Sequence, residues 1–188
     1  MTTIQTERTL TELIPAGVWK VDPVHSSIEF GIKHLLITTV KGTFADFDGT
    51  IEIRQDGMGH ATGAIRAASI DTREPQRDEH LRSADFFNAA GFPEIRFEST
   101  YAGGGEDNSF RVVGDLTIRG TTRELELDAT FEGTARDPYG NERIGLTLRG
   151  QFDPNDYGVD WNQELESGGN LVGDRVDLTA NVSAVRAD

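Results

Sequence analysis

The sequence contains no cysteine, so neither disulfides nor thiol chemistry contribute to its fold or function, and any cysteine-ligated metal is excluded. Lysine is nearly as scarce, limited to Lys20, Lys33 and Lys41. Lysine and arginine together number 18 against 32 acidic side chains, a formal net charge of -14. Such a surface repels nucleic acid backbones and anionic lipid head groups, which argues against a nucleic-acid or membrane-surface role and against stable membrane insertion. No apolar run reaches membrane-spanning length, and the opening residues MTTIQTERTLTELIPAG show no basic stretch followed by an apolar one. The expectation is a soluble, cytoplasmic protein. Catalytic signatures are missing as well: there is no Gly-x-Ser-x-Gly elbow, no His-Glu-x-x-His, no phosphate loop and no dinucleotide fingerprint. His25, His34, His60 and His80 are nowhere at metal-ligand spacing, so no catalytic residue, metal or cofactor is expected.

What is present is alternation with a period of two, the mark of half-buried strands. Eight sets follow one another: Ile28, Phe30, Ile32 and His34; Phe47, Gly49, Ile51 and Ile53; Ile65 and Ala67 within 61–70; Ile95, Phe97, Ser99 and Tyr101; Val112, Gly114, Leu116 and Ile118; Leu125, Leu127, Ala129 and Phe131; Ile144, Leu146, Leu148, Gly150 and Phe152; Val176, Leu178, Ala180 and Val182. Turn-forming clusters such as Gln55-Asp56-Gly57, Arg119-Gly120-Thr121 and Asp137-Pro138-Tyr139-Gly140-Asn141 separate them, so neighbouring strands should be antiparallel. The predicted fold is all-β: an eight-stranded antiparallel up-and-down barrel, whose closure removes the exposed edges. A chain of this length buries roughly 70% of its extended surface, enough for one domain without staples. That domain is expected over 17–188. Residues 1–16 read as an N-terminal arm carrying a short helix, with Leu10, Leu13 and Ile14 apolar and Thr9 and Glu12 at capping-box spacing.

One long interruption, Ile70 to Phe97, falls between the third and fourth strands and predicts a short helical crossover. It gathers Arg77, His80 and Arg82 beside Phe86, Phe87 and Phe92. The basic groups have two readings: contacts to an anionic or quinone head group, since a guanidinium suits an oxyanion, or ion pairs and caps that pin the crossover to the barrel rim. Small residues on the apolar faces (Gly49, Ser99, Gly114, Ala129, Gly150, Ala180) also have two readings, an open lumen or relief of barrel curvature.

Several runs then carry a family resemblance. Asp22-Pro23-Val24-His25-Ser26-Ser27, Lys41-Gly42-Thr43-Phe44 with Phe47-Asp48-Gly49, Ser69-Ile70-Asp71-Thr72, Arg77-Asp78-Glu79-His80-Leu81-Arg82-Ser83, Asp85-Phe86-Phe87 and Gly114-Asp115-Leu116-Thr117-Ile118-Arg119-Gly120 are collinear over about 17–185 and resemble the YceI-like proteins. The resemblance implies a lipocalin-like barrel that binds an isoprenoid lipid, either a polyprenyl chain or an isoprenoid quinone, without catalysing a reaction. It implies storage or transport of that lipid, and some relatives are homodimers. This sequence has Pro154-Asn155 ahead of Asp156-Tyr157-Gly158, where the family usually places an Arg. The side chains expected to line the lumen are Phe30, Ile32, His34, Phe47, Leu81, Phe86, Phe87, Phe92, Phe97, Gly114, Leu116, Leu127, Ala129, Phe131, Leu148 and Tyr157, with Arg77, His80 and Arg82 as head-group candidates. The competing readings are an enzyme acting on a lipophilic substrate in the same lumen, with His34 or His80 as acid–base group, and a stress-response structural protein with a solid barrel.

Overall fold

A computed structural model describes residues 8–188 of the chain. Eleven strand segments form in chain order: β1 (Gly17–Val21), β2 (Ser27–His34), β3 (Thr38–Phe44), β4 (Phe47–Ile53), β5 (Gly59–Arg66), β6 (Ile70–Asp71), β7 (Glu94–Gly103), β8 (Ser109–Ile118), β9 (Thr121–Arg136), β10 (Glu142–Phe152) and β11 (Val172–Arg186). Among the described residues a single α-helix, α1 (Pro75–Arg82), lies between β6 and β7. Every pairing is antiparallel, and β1 pairs with both β4 and β11, which closes the sheet. The eleven segments make eight wall strands, because β1/β2, β3/β4 and β5/β6 are each one strand broken in the middle. The result is the expected closed eight-stranded antiparallel barrel with one helix.

Alternation located these strands but not the breaks. At 22–26, Pro23 has no N–H to give the ladder, and the Asp22 side chain turns back to accept from Val24 N at 3.0 Å. Ser26 substitutes for the lost ladder bonds: its hydroxyl accepts from Ser183 N at 2.9 Å and donates to Ser183 O at 3.2 Å. β1 and β3 were therefore not anticipated as strand segments. Parity also changes where an extra residue enters. The register of β7 on β8 shifts between Ser99 and Tyr101, so Ala102 rather than Tyr101 continues the inward face.

The breaks in three adjacent strands leave the wall incomplete on one side. β5 pairs with β7 only as far as Arg66 and Glu94, while β6 leans away to pair with β3. Residues 72–93 fill the gap. Pro75 occupies the first turn of α1, and the Glu74 side chain caps it by accepting from Gln76 N. Asp78, 6% exposed, accepts from Thr72 N at 2.8 Å and Thr72 Oγ1 at 2.6 Å.

The opposite end of the barrel has a floor. Thr9 precedes a 3-10 turn, Leu10–Glu12, shorter than an α-helix, and its hydroxyl donates to Glu12 Oε1 rather than capping a backbone N–H. Leu10 and Ile14 are buried against the barrel, and Trp19 beneath them donates from Nε1 to Pro15 O. The earlier part of the expected arm, 1–7, lies outside the described residues.

Candidate functional site

Two cavities, of about 280 Å³ and 190 Å³, lie inside the barrel. The barrel is therefore not solid. Ile65, Ile95, Leu116 and Leu178 line both, so they mark a waist between an upper lobe under the crossover and a lower lobe above the floor. Phe30, Ile32, His34, Leu81, Phe86, Phe87, Leu116, Arg77 and His80 line the upper lobe, and Phe47, Phe97, Leu116, Leu127 and Leu148 line the lower one.

The other named residues sit elsewhere, each for a local reason. Phe92 is exposed and covers Gly120 in the turn between β8 and β9, where a Cβ would approach its ring to 2.8 Å. Gly114 is buried but makes no space. A Cβ there would come within 2.5 Å of the Phe97 ring and 2.6 Å of Glu98 O, so the absent side chain is already replaced by a neighbour's ring. Gly150 is likewise overlain by Leu127, whereas Gly49 and Ala180 do line the lower lobe. Ala129 and Phe131 pack in the surrounding core. Tyr157 lies in a 3-10 turn, Pro154–Tyr157, edge-on to Phe152 at 5.5 Å; burial raises its hydroxyl pKa above the ordinary value.

At the upper rim the basic residues mostly serve the fold. Arg77 donates from Nε to Thr72 Oγ1 at 2.7 Å and from Nη2 to Thr72 O at 2.8 Å. Arg82 turns away from the cavity and donates to Ala68 O at 2.8 Å and Ile70 O at 3.1 Å. His80 has a different setting. Its Nε2 meets Asp85 Oδ2 at 2.8 Å, and its ring stands edge-on to Trp161 at 4.8 Å and to Phe86 at 5.0 Å. Arg119, from the turn after β8, donates to Phe86 O at 3.0 Å and Gly158 O at 3.3 Å, tying the crossover to the segment after β10.

That segment supplies the residues sequence reasoning missed. Asn155, Val159, Trp161, Asn162 and Leu171 line the upper lobe, as do Phe44 and Val40 from the unanticipated β3. No alternation marks 153–171; the available signal was one tryptophan standing alone in a polar loop. The lining is apolar along most of both lobes, and its hydrogen-bonding groups concentrate at the upper rim. Such a space can hold an extended hydrocarbon with a polar end near the crossover.

Residues 19–184 match the YceI-like domain. A UPF0312 protein of Staphylococcus aureus strain N315 is 39% identical over 163 residues, spanning 85% of this chain and 92% of its own. Among solved structures, BcnA of Burkholderia cenocepacia superposes with a TM-score of 0.75 at 19% identity, over 87% of this chain and 98% of that one. A polyisoprenoid binding domain from Saccharophagus degradans superposes with a TM-score of 0.66 at 16% identity, over 90% and 98%. With a domain match running from within β1 to within β11 over a barrel of the same architecture, this chain belongs to the YceI-like family.

Proposed function

We propose that this protein binds the hydrocarbon chain of an isoprenoid lipid in its lumen and acts, without chemistry on the ligand, as a carrier or store. The observation that carries the proposal is the pair of apolar lobes that meet at one shared ring of side chains, Ile65, Ile95, Leu116 and Leu178: two such spaces end to end suit a long branched chain better than a compact metabolite. The fold shared with a polyisoprenoid binding domain supports the same ligand class. Burying hydrocarbon yields about 0.8 kcal/mol per methylene, so a chain of several prenyl units binds without a charged anchor. The aromatic and polar rim at His80, Trp161 and Asn162 then has only to accept the head group.

Native mass spectrometry of the purified protein, followed by solvent extraction, tests this. The expected result is a co-purifying or readily loaded prenyl lipid at one per chain. A protein that stays empty when offered prenyl quinones and polyprenyl phosphates refutes it.

A further inference from the structure

The hairpin joining β2 to β3 is built against its own turn chemistry. Ile37 N donates to His34 O at 3.3 Å, closing a turn whose two central residues, Leu35 and Leu36, have φ of 54° and 65°. Both central residues at positive φ define a primed hairpin turn, for which Asn-Gly is the favoured sequence and leucine among the least favoured. The side chains do not compensate by packing inward: Leu35, Leu36 and Ile37 are 41%, 57% and 78% exposed. Three consecutive apolar residues are thus left partly or largely exposed, two of them on strained backbone, with Leu36 lying against Gly169 of the facing loop. Strain of this kind persists where it serves something other than stability.

The position of the tip says what it serves. Lys33 and His34, immediately before it, line the upper lobe; Leu35 N donates to Leu171 O, and Leu171 lines the same lobe. The apolar tip is therefore at the lumen's own rim. The hairpin itself carries net positive charge in an acidic chain. No acidic residue occurs between Glu29 and Asp46, although acids are the most abundant charged class, and two of the three lysines, Lys33 and Lys41, flank the tip on the same hairpin. The facing loop carries Asp160, Glu164 and Glu166, so attraction to an anionic surface is weak and the apolar side chains must supply most of the affinity.

We propose that the Leu35-Leu36-Ile37 tip inserts into the interface of a lipid bilayer and holds the upper lobe against the membrane from which the lumen takes its ligand. This rests on the reading of the lumen as a lipid site. A bilayer is the fitting partner because a water-insoluble chain must come from one, and because three exposed aliphatic side chains with two flanking lysines match the acyl–head-group boundary.

The test uses the full chain and the double variant Leu35→Asn/Leu36→Gly, which removes the two apolar side chains while giving the turn its preferred sequence, so loss of folding does not confuse the result. Flotation with vesicles of phosphatidylcholine, with and without phosphatidylglycerol, measures docking in the absence of ligand. Loading with a prenyl quinone delivered from ethanol measures the lumen, and loading from quinone-containing vesicles measures the two together. The expected result is about a tenfold smaller vesicle-bound fraction for the variant, with a similar slowing of uptake from vesicles and unchanged uptake from ethanol. The proposal is overturned if the wild-type protein does not float with either vesicle, if the variant floats equally well, or if sedimentation shows the tip buried in a dimer that the variant abolishes. Failure to load from ethanol counts against the lumen reading alone, and flotation still decides the role of the tip.

Discussion

The two ends of the barrel use arginine in different ways. At the upper end Arg77, Arg82 and Arg119 donate chiefly to backbone carbonyls: Thr72 O, Ala68 O and Ile70 O, Phe86 O and Gly158 O. At the floor Arg143 bridges Asp22 and Asp137 at 2.8 and 2.9 Å, and Arg186 pairs with Glu142 while lying over the Trp19 ring at 4.4 Å. Carbonyl contacts shape a loop without adding a titrating partner. Carboxylate contacts fix strand ends in place but depend on acid and salt. The arginines of the end that should open for a ligand rest on neutral acceptors, and those of the end that should stay shut form ion pairs over a packed apolar floor.

The largest expected effect breaks the floor. Ile14→Ala removes a fully buried side chain and should cost about 2–5 kcal/mol in urea unfolding. A short prenyl ligand, which needs only the upper lobe, should still bind to the folded fraction. If its affinity falls in step with stability, the two ends are not separable. Next in size is Leu178→Phe at the waist. By excluding about four methylenes from the lower lobe it should weaken a long-chain ligand about a hundredfold and leave a short one nearly unchanged. Fluorescence of Trp161, which lines the upper lobe, reports both titrations.

A smaller effect of opposite sign is expected at the β2–β3 tip: Leu35→Asn/Leu36→Gly should raise stability by about 1–2 kcal/mol by relieving left-handed backbone. An unchanged unfolding midpoint would mean that the turn is not strained.

Acid should act on the floor. The Arg143 contact, followed by that of His25, lowers the Asp22 pKa from 3.8 to about 2. Asn141 first, with further hydrogen bonds including that of Arg143, lowers Asp137 to about 2. Both folded values lie below the unfolded ones, so the stabilisation is complete above about pH 4 and is lost as pH falls toward 2. Arg143→Met should flatten that part of the pH–stability profile, read as the thermal midpoint in buffers of decreasing pH; an unaltered profile removes the clamp from the account.

How much of this was legible in the sequence depended on whether a local rule governs it. Strand number, antiparallel order and the place of the crossover follow from period-two patterning and turn residues, which act over a few positions. Pro23 is a local mark of the break at 22–26, but the Ser26–Ser183 contact that makes up for the lost ladder bonds joins opposite ends of the chain, and no local pattern carries it. Of the six small residues on the apolar faces, Gly49 and Ala180 line a cavity and the other four do not: whether a small residue leaves a void depends on the residue across the strand, and for Gly114 that residue is Phe97. The β2, β4 and β10 faces were readable into the lumen, whereas Trp161 and Asn162 reach it from an irregular segment with no period.

The break in three neighbouring strands has a consequence for how the barrel can be filled. Above Arg66 and Glu94 the wall between β6 and β7 has no continuous ladder and is closed by residues 72–93. A cylinder sealed by hydrogen bonds all round admits a guest only end-on, tail first. A cylinder with a seam can be unzipped along its length, so that a branched chain is laid in sideways and the crossover folds down over it. Amide hydrogen exchange distinguishes the two: seam opening requires the amides of 72–93 to exchange well ahead of those in β8–β10 in the empty protein, and to slow once the lumen is occupied.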